Sequence, residues 1–181
     1  MKYAVLVVDM LNDFVTGALK CDRGLAIVPH VKKLCDDARK HNIPVIFCND
    51  AHHPGIDREF EIWGEHALIG TKGAEVIPEL GLDEKIDFVV PKKRYSGFFQ
   101  TSLDLLLKEL GVDTVIMAGL HAHMCVRHTS ADAFQYGYHV IAATDCMDSF
   151  TKEDYESGIK YLHDVYGAKL LTSIEIEKLY K

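Results

Sequence analysis

The sequence lacks the features that mark several protein classes. Its five cysteines are scattered and form no CxxC pair, which favours a reducing cytosol over a disulfide framework (Cys21, Cys35, Cys48, Cys125 and Cys146). No apolar run approaches the roughly 20 residues that a membrane span needs. Basic residues are few, since 20 Lys and Arg face 27 Asp and Glu, whereas a general nucleic-acid binder needs a basic face. We therefore expect a cytoplasmic protein that binds neither nucleic acid nor a membrane.

The chain also lacks any linker, repeat or low-complexity segment that would divide it. Its 181 residues fall within the roughly 100–200 residues typical of one domain. The N-terminal run MKYAVLVVDM has no signal-peptide cleavage region and is interpreted as a first strand. We predict a single domain over residues 1–181.

Short apolar runs that suit buried strands alternate with helical patterns. The predicted strands are Tyr3–Val8, Pro44–Cys48, Asp87–Val90, Asp113–Gly119, Tyr138–Ala143 and Ala168–Leu171. The predicted helices are Ile27–Lys40, Ser102–Leu110 with Thr101 as its cap, Met124–Tyr136 and Lys152–Tyr166, followed by a short terminal helix. This alternation predicts an α/β fold, a doubly wound, six-stranded and mostly parallel sheet with helices on both faces. Ligands of such sheets bind at the carboxyl ends of the strands.

Reactive side chains follow four of these predicted strands. They are Asp9 after the first strand, Asp50 and His52 after the second, Lys92 after the third, and His121, His123 and Cys125 after the fourth. Cys125 stands where a helix begins, and a helix N-terminus stabilises a thiolate and offers free N–H groups to an oxyanion. Asp9 can accept the thiol proton, and Lys92 can lower the thiol pKa. Each residue alone has an ordinary alternative as a core cysteine, a cap or a surface lysine.

Three segments resemble the isochorismatase-like cysteine hydrolase superfamily, which includes nicotinamidase and N-carbamoylsarcosine amidase. They are VLVVDMLNDF, PKKRYSGFFQTSLD and GLHAHMCVRHTSADAFQYGYHV, and they span nearly the whole chain in the order of the family. The resemblance implies a catalytic triad of Asp9, Lys92 and Cys125. It further implies an oxyanion hole at the amides of His121 and Cys125, and a cis peptide bond between Leu120 and His121.

The assignment of the family's lysine depends on local spacing. Lys92 stands three residues before Tyr95 in a K-x-R-Y-S-x-F pattern. The neighbours Lys93 and Arg94 are the residues most easily confused with it.

A second group of residues is typical of a metal site. Asp50 and His52 are two apart on an extended segment, so their side chains point the same way, and His66 follows at the end of the Trp63–His66 segment. Two imidazoles and one carboxylate leave coordination positions open for substrate or water. The resemblance implies Zn²⁺, or another divalent metal, at Asp50, His52 and His66. His53 is the alternative ligand.

The sequence departs from the nicotinamidase pattern at three places. Ala51 replaces a Trp, Leu11 replaces a Gln, and His121-Ala122-His123 is more similar to the isochorismatase branch, which cleaves a vinyl ether and has no cysteine at this position. The presence of Cys125 favours amide chemistry. The resemblance also implies a homo-oligomer, a dimer or a tetramer.

The candidate substrate-binding residues are Phe14, His121, His123 and Arg94. Because the imidazoles and the guanidinium could hold a substrate carboxylate, with Arg127 also near in sequence, we expect an amidase for a carbamoyl amide such as N-carbamoylsarcosine. The alternatives are a nicotinamidase or pyrazinamidase, an ether hydrolase, and a non-catalytic metal-binding scaffold. A phospho-receiver domain is disfavoured because it needs paired acids after the first strand, where Asp9 follows two valines.

Overall fold

The computed structural model describes residues 1–180 and contains six β-strands. They are β1 (Tyr3–Val8), β2 (Val45–Asp50), β3 (Phe88–Lys92), β4 (Thr114–Leu120), β5 (His139–Asp148) and β6 (Lys169–Leu171). All neighbouring strands pair in parallel, in the order β3-β2-β1-β4-β5-β6. This sheet confirms the predicted α/β class.

Helices cover both faces of the sheet. They are α1 (Asn12–Val15), α2 (Asp22–Lys40), α3 (Phe60–Trp63), α4 (Leu103–Glu109), α5 (Cys125–Gln135), α6 (Lys152–Tyr166) and α7 (Ser173–Glu177). One apolar cluster joins α2 and α7 to one face of the sheet, and a second joins α4, α5 and α6 to the other face. Strand β1 is buried on both faces, which explains its continuous apolar run. No helix within residues 1–180 is both long and apolar enough to cross a membrane.

The predicted boundaries differ from the structure where polar groups take unexpected partners. Helix α2 begins at Asp22 rather than Ile27, and the Cys21 sulfur caps it by accepting a hydrogen bond from the Gly24 amide. Strand β5 continues past Ala143 through two polar residues to Asp148. Helix α4 begins at Leu103, although the Thr101 hydroxyl accepts a hydrogen bond from the Leu103 amide as a cap does. The four-residue helices α1 and α3 were not predicted.

The strand order reverses between β1 and β4, and a ligand crevice is expected at that point. Gly119, near the end of β4, has a φ of 105°, and a Cβ atom there would lie 2.0 Å from the Val8 carbonyl oxygen. Only glycine therefore allows β1 and β4 to approach this closely. The segment after β1, with Asp9, and the segment after β4, with His121, consequently lie side by side. The peptide bond between Leu120 and His121 is cis, as the resemblance implied.

Candidate active site

Strand ends bring Asp9, Lys92 and Cys125 together. The Lys92 ammonium lies 2.8 Å from Asp9 Oδ2, 2.5 Å from Asp50 Oδ1 and 3.7 Å from Cys125 Sγ. A carboxylate oxygen of Asp9 lies within 4.8 Å of the same sulfur. Lys92 and Asp9 are fully buried. The neighbouring Lys93 instead donates a hydrogen bond to the Ala51 carbonyl oxygen, so the structure places Lys92 at the cysteine.

Burial and charge divide the protons among these groups. Burial raises the pKa of Asp9 to about 6, and the charge of Asp50 raises it too, against the lowering effect of Lys92. Burial also acts to raise the pKa of Asp50, but Lys92 and His52 outweigh it and hold that pKa below its ordinary value. Burial raises the pKa of the Cys125 thiol well above its ordinary value. Asp9 is therefore ionised at neutral pH beside a protonated thiol.

This charge distribution determines how the Cys125 thiol is activated. Lys92 alone lowers the pKa of Cys125, as predicted, but desolvation and the charges of Asp9 and Asp50 outweigh it. The thiol is therefore protonated before it reacts, and it has to give its proton to a base, the role predicted for Asp9. Asp9 stands ready for that transfer because it is unprotonated and adjacent.

The backbone around Cys125 leaves amides free for an oxyanion. Cys125 is the first residue of α5, and the first amides of a helix have no acceptor within that helix. The His121 carbonyl accepts hydrogen bonds from the amides of Met124 and Val126, which turns the chain tightly before the helix. An oxyanion hole at the amides of His121 and Cys125 stays a prediction.

Four buried side chains form a candidate metal group beside the cysteine. Asp50, His52, Glu59 and His66 each offer a ligand atom, and these atoms lie within 4.8 Å of one another. The Nε2 atoms of His52 and His66 lie 3.6 Å and 4.0 Å from Asp50 Oδ2. The structure thus brings the three predicted ligands together and adds Glu59. His53 is exposed and lines a separate surface cavity.

The donor atoms of this group fit a divalent cation. His52 Nδ1 donates to Asp57 Oδ2 at 2.7 Å, and His66 Nδ1 donates to the Gly64 carbonyl oxygen at 2.8 Å, so each Nε2 faces Asp50 and is the ring atom left to bind a cation. His52 Nε2 and Glu59 Oε1 are buried and have no hydrogen-bond partner. Such unpaired buried polar atoms are costly, and a cation bound to them would satisfy them. Mixed imidazole and carboxylate ligands suit zinc and similar metals.

Sequence reasoning missed Glu59 because nothing local distinguishes it. The segment between His52 and His66 carries several acids, namely Asp57, Glu59, Glu61 and Glu65. Only the path of the chain into α3 turns Glu59 inward.

A small cavity adjoins the Cys125 sulfur. Its apolar lining consists of Phe14, Leu19, Trp63, Tyr95, Met124 and Phe150, and its polar lining of Asp50, Glu59, His66, His121 and Cys125. Both nitrogens of His121 are buried without a partner. Burial lowers the pKa of His121 to about 3, so its imidazole is neutral. Sequence reasoning did not predict that Trp63, Tyr95 and Phe150 line this cavity.

The structure places two predicted substrate-binding residues outside this cavity. Arg94 forms a 3.1 Å ion pair with Asp57 and lines a separate surface cavity. The Nδ1 atom of His123 is hydrogen-bonded with the Ser149 hydroxyl at 3.0 Å. Arg127 is also remote, with its guanidinium 3.6 Å from the centre of the Tyr161 ring. The structure pairs Arg94 with Asp57 and His123 with Ser149, and a role for either residue in holding a substrate carboxylate stays a prediction.

Comparison with known proteins identifies the family. Among solved structures, N-carbamoylsarcosine amidase from Thermoplasma acidophilum is 40% identical, with a TM-score of 0.91 over 98% of this chain and 99% of that chain. A pyrazinamidase from Pyrococcus horikoshii in complex with zinc is 28% identical, with a TM-score of 0.87 over 95% of this chain and 99% of that chain. A probable inactive nicotinamidase from Arabidopsis thaliana is 33% identical over 93% of this chain and 91% of its own length. The Isochorismatase domain profile matches residues 3–175, and the chain therefore belongs to the isochorismatase family of hydrolases.

Proposed function

We propose that this protein is a cysteine amidohydrolase that cleaves the C–N bond of a small non-peptide amide and releases ammonia. The observation that carries the proposal is the position of the Lys92 ammonium, 2.8 Å from Asp9 and 3.7 Å from the Cys125 sulfur. A buried cation thereby holds a base next to a nucleophile. Thiol attack on an amide needs these three components.

The reaction begins with proton transfer from Cys125 to the Asp9 carboxylate. The thiolate sulfur attacks the amide carbonyl carbon, and the amides of His121 and Cys125 hold the negative oxygen. Asp9 then gives its proton to the leaving nitrogen, ammonia departs, and an acyl-Cys125 thioester (a thiocarbamate for a carbamoyl substrate) remains. A water that gives a proton to Asp9 attacks the carbonyl carbon of this intermediate, the bond from carbon to sulfur breaks, and the acid is released. Asp9 then returns its proton to the Cys125 sulfur, which restores the starting thiol. Lys92 stays charged throughout and fixes the Asp9 carboxylate.

We propose zinc as the metal at Asp50, His52, Glu59 and His66. When bound, it supplies a Lewis acid that polarises a substrate group or water. The chain itself prepares this group, because Asp57 and the Gly64 carbonyl oxygen fix which nitrogen of each imidazole faces inward.

Two substrate candidates have separate support. A carbamoyl amide such as N-carbamoylsarcosine is the first candidate because of the similarity to the Thermoplasma amidase. Nicotinamide or pyrazinamide is the second, because the cavity offers aromatic walls at Phe14, Trp63 and Phe150 and a neutral imidazole at His121. Within the described chain, no arginine lines the cavity to pair with a carboxylate.

The test is an ammonia-release assay over small amides, with and without a chelator. The substrates are N-carbamoylsarcosine, nicotinamide, pyrazinamide and ureidoacrylate. Cys125→Ser should lose activity by orders of magnitude, as removal of a nucleophile does. Cys21→Ser is the matched control, because serine also caps the helix start that Cys21 caps, and it should retain activity. Undiminished turnover by Cys125→Ser would remove Cys125 from the chemistry, and pyruvate-type products without ammonia would indicate an ether hydrolase.

A further inference from the structure

The cavity at Cys125 is almost filled by the protein's own side chains. It leaves a volume of about 10 Å³, which is room for about one water molecule. Phe14 and His121 on its inner wall are buried, whereas Trp63 and Phe150 on its outer wall are half-buried. No amide fits unless a side chain moves, so the outer wall decides what reaches the sulfur.

The Phe150 ring stacks on two other rings that line this cavity. Its centre lies 3.9 Å from that of His121, with an angle of 28° between the planes. It lies 6.1 Å from that of Trp63, with an angle of 22°. The Phe150 ring is therefore nearly parallel to each of these two neighbours, and it fills a slot beside them and Cys125.

The backbone that carries Phe150 is fixed on both sides. Before it, the Ser149 hydroxyl is hydrogen-bonded with His123 Nδ1, and the Ser149 carbonyl oxygen accepts a hydrogen bond from Cys21 Sγ. After it, Thr151 caps helix α6. The ring can therefore leave the slot by side-chain rotation, while its attachment point stays in place.

Trp63, the other residue of the outer wall, is attached differently. Trp63 lies on a segment between Gly55 and Gly64, which have φ values of 74° and 72°, and the Trp63 indole N–H donates to the Tyr95 hydroxyl at 3.1 Å. Of these two outer-wall residues, Phe150 has the backbone that is held on both sides. The space that its ring leaves free beside Cys125 therefore limits the size of an entering group.

We propose that Phe150 is a specificity-determining residue that sets the upper size of the acyl group reaching Cys125. The claim about which amides are hydrolysed rests on the proposed amidohydrolase function. The claim about which molecules reach the Cys125 sulfur rests only on the geometry of the cavity. Removal of the ring empties the slot beside His121 and Trp63, so bulky groups should gain more access to Cys125 than small ones.

The first test measures access to the Cys125 sulfur without any amide. Cys125 is alkylated with iodoacetamide and, separately, with the bulkier N-benzylmaleimide, and mass spectrometry of the Cys125 peptide gives the rates. In Phe150→Ala, the alkylation rate with N-benzylmaleimide divided by the rate with iodoacetamide should rise about tenfold or more. This is the scale on which an apolar pocket discriminates single methylene groups. Phe150→Leu should give an intermediate ratio and serves if the alanine variant fails to fold.

The control is Phe134→Ala, because Phe134 is an exposed ring that lines a different cavity. Its ratio should equal that of the unchanged protein. Trp63 is the single tryptophan of the chain, so its fluorescence should change in Phe150→Ala and stay constant in Phe134→Ala. An unchanged reagent ratio in both Phe150 variants would overturn the proposal.

The second test uses amides of increasing acyl size. Phe150→Ala should extend the range of acyl groups hydrolysed, with the largest gain in kcat/KM for the bulkiest substrates. Wider reagent access without hydrolysis of any amide would refute the amidohydrolase function and support the role of Phe150. Amide hydrolysis with the same size range in Phe150→Ala would support the function and refute the role of Phe150.

Discussion

The buried ammonium of Lys92 should contribute heavily to the stability of the fold. Lys92→Met keeps the length of the side chain and its apolar stem but removes the charge. It leaves the carboxylates of Asp9 and Asp50, which now lie 2.8 Å and 2.5 Å from the ammonium, buried without their cation. Removal of one partner from a buried ion pair costs about 3–5 kcal/mol. We expect a loss of that size in the free energy of unfolding at neutral pH.

The loss should also depend on pH with a definite sign. Without Lys92, the folded-state pKa of Asp9, already raised to about 6 by burial, rises further, and the pKa of Asp50 rises as well. The penalty is therefore complete only above these raised pKa values, and it shrinks as the pH falls through them and both groups bind protons.

Urea unfolding in the presence of a chelator measures this effect. Lys93→Met is the matched control, since that lysine is half-buried and its ammonium donates a hydrogen bond to a backbone carbonyl oxygen rather than to a carboxylate. It should change stability by about 0.5 kcal/mol or less, as surface substitutions usually do. Equal losses in the two variants would refute the view that Lys92 holds the carboxylates in place.

Two further variants test interactions outside the triad. Asp57→Asn removes the carboxylate that accepts from His52 Nδ1 and should weaken zinc binding about 10–100-fold in calorimetric titration; unchanged affinity would contradict that role. Asp145→Asn weakens the acceptor of two 2.7 Å hydrogen bonds from Ser173. Burial acts to raise the pKa of Asp145, but the Ser173 bonds outweigh it and the pKa is lowered, so its stabilisation is present above the unfolded pKa and lost in acid. The Tm difference from the unchanged protein should therefore be widest at neutral pH, and a difference that persists in strong acid would oppose this reasoning.

The sheet and the meeting of Asp9, Lys92 and Cys125 followed from the sequence by simple geometry. Each residue comes at or just after the end of a strand, and parallel strands end at one edge of the sheet. The apolar run of β1 predicted burial on both faces, and it is buried on both. The local sequence pattern and the direction of the strands were therefore sufficient to predict which residues meet at this edge of the sheet.

The remaining features depend on loop paths that no periodicity encodes. Glu59 and Trp63 reach the cavity through α3, a four-residue helix. Phe150 follows β5, and the polar residues within that strand made the predicted strand end too early, at Ala143. Arg94 is adjacent in sequence to the lysine pair, yet Asp57 draws it to the outer surface. These outcomes depend on contacts between segments distant in sequence, which the pattern within one segment does not show.

Strand pairing decides which of two adjacent lysines enters the site. Lys92 pairs in register with Asp50 across β2 and β3, and along β3 the side chains of Val90 and Lys92 are buried while Val89 is exposed. Because alternate residues of a strand face opposite ways, a slip of β3 by one residue would turn Lys92 outward. The chain would keep every functional group and lose their arrangement. Substitutions that alter the alignment of this edge strand should therefore inactivate the protein as fully as replacement of the lysine itself.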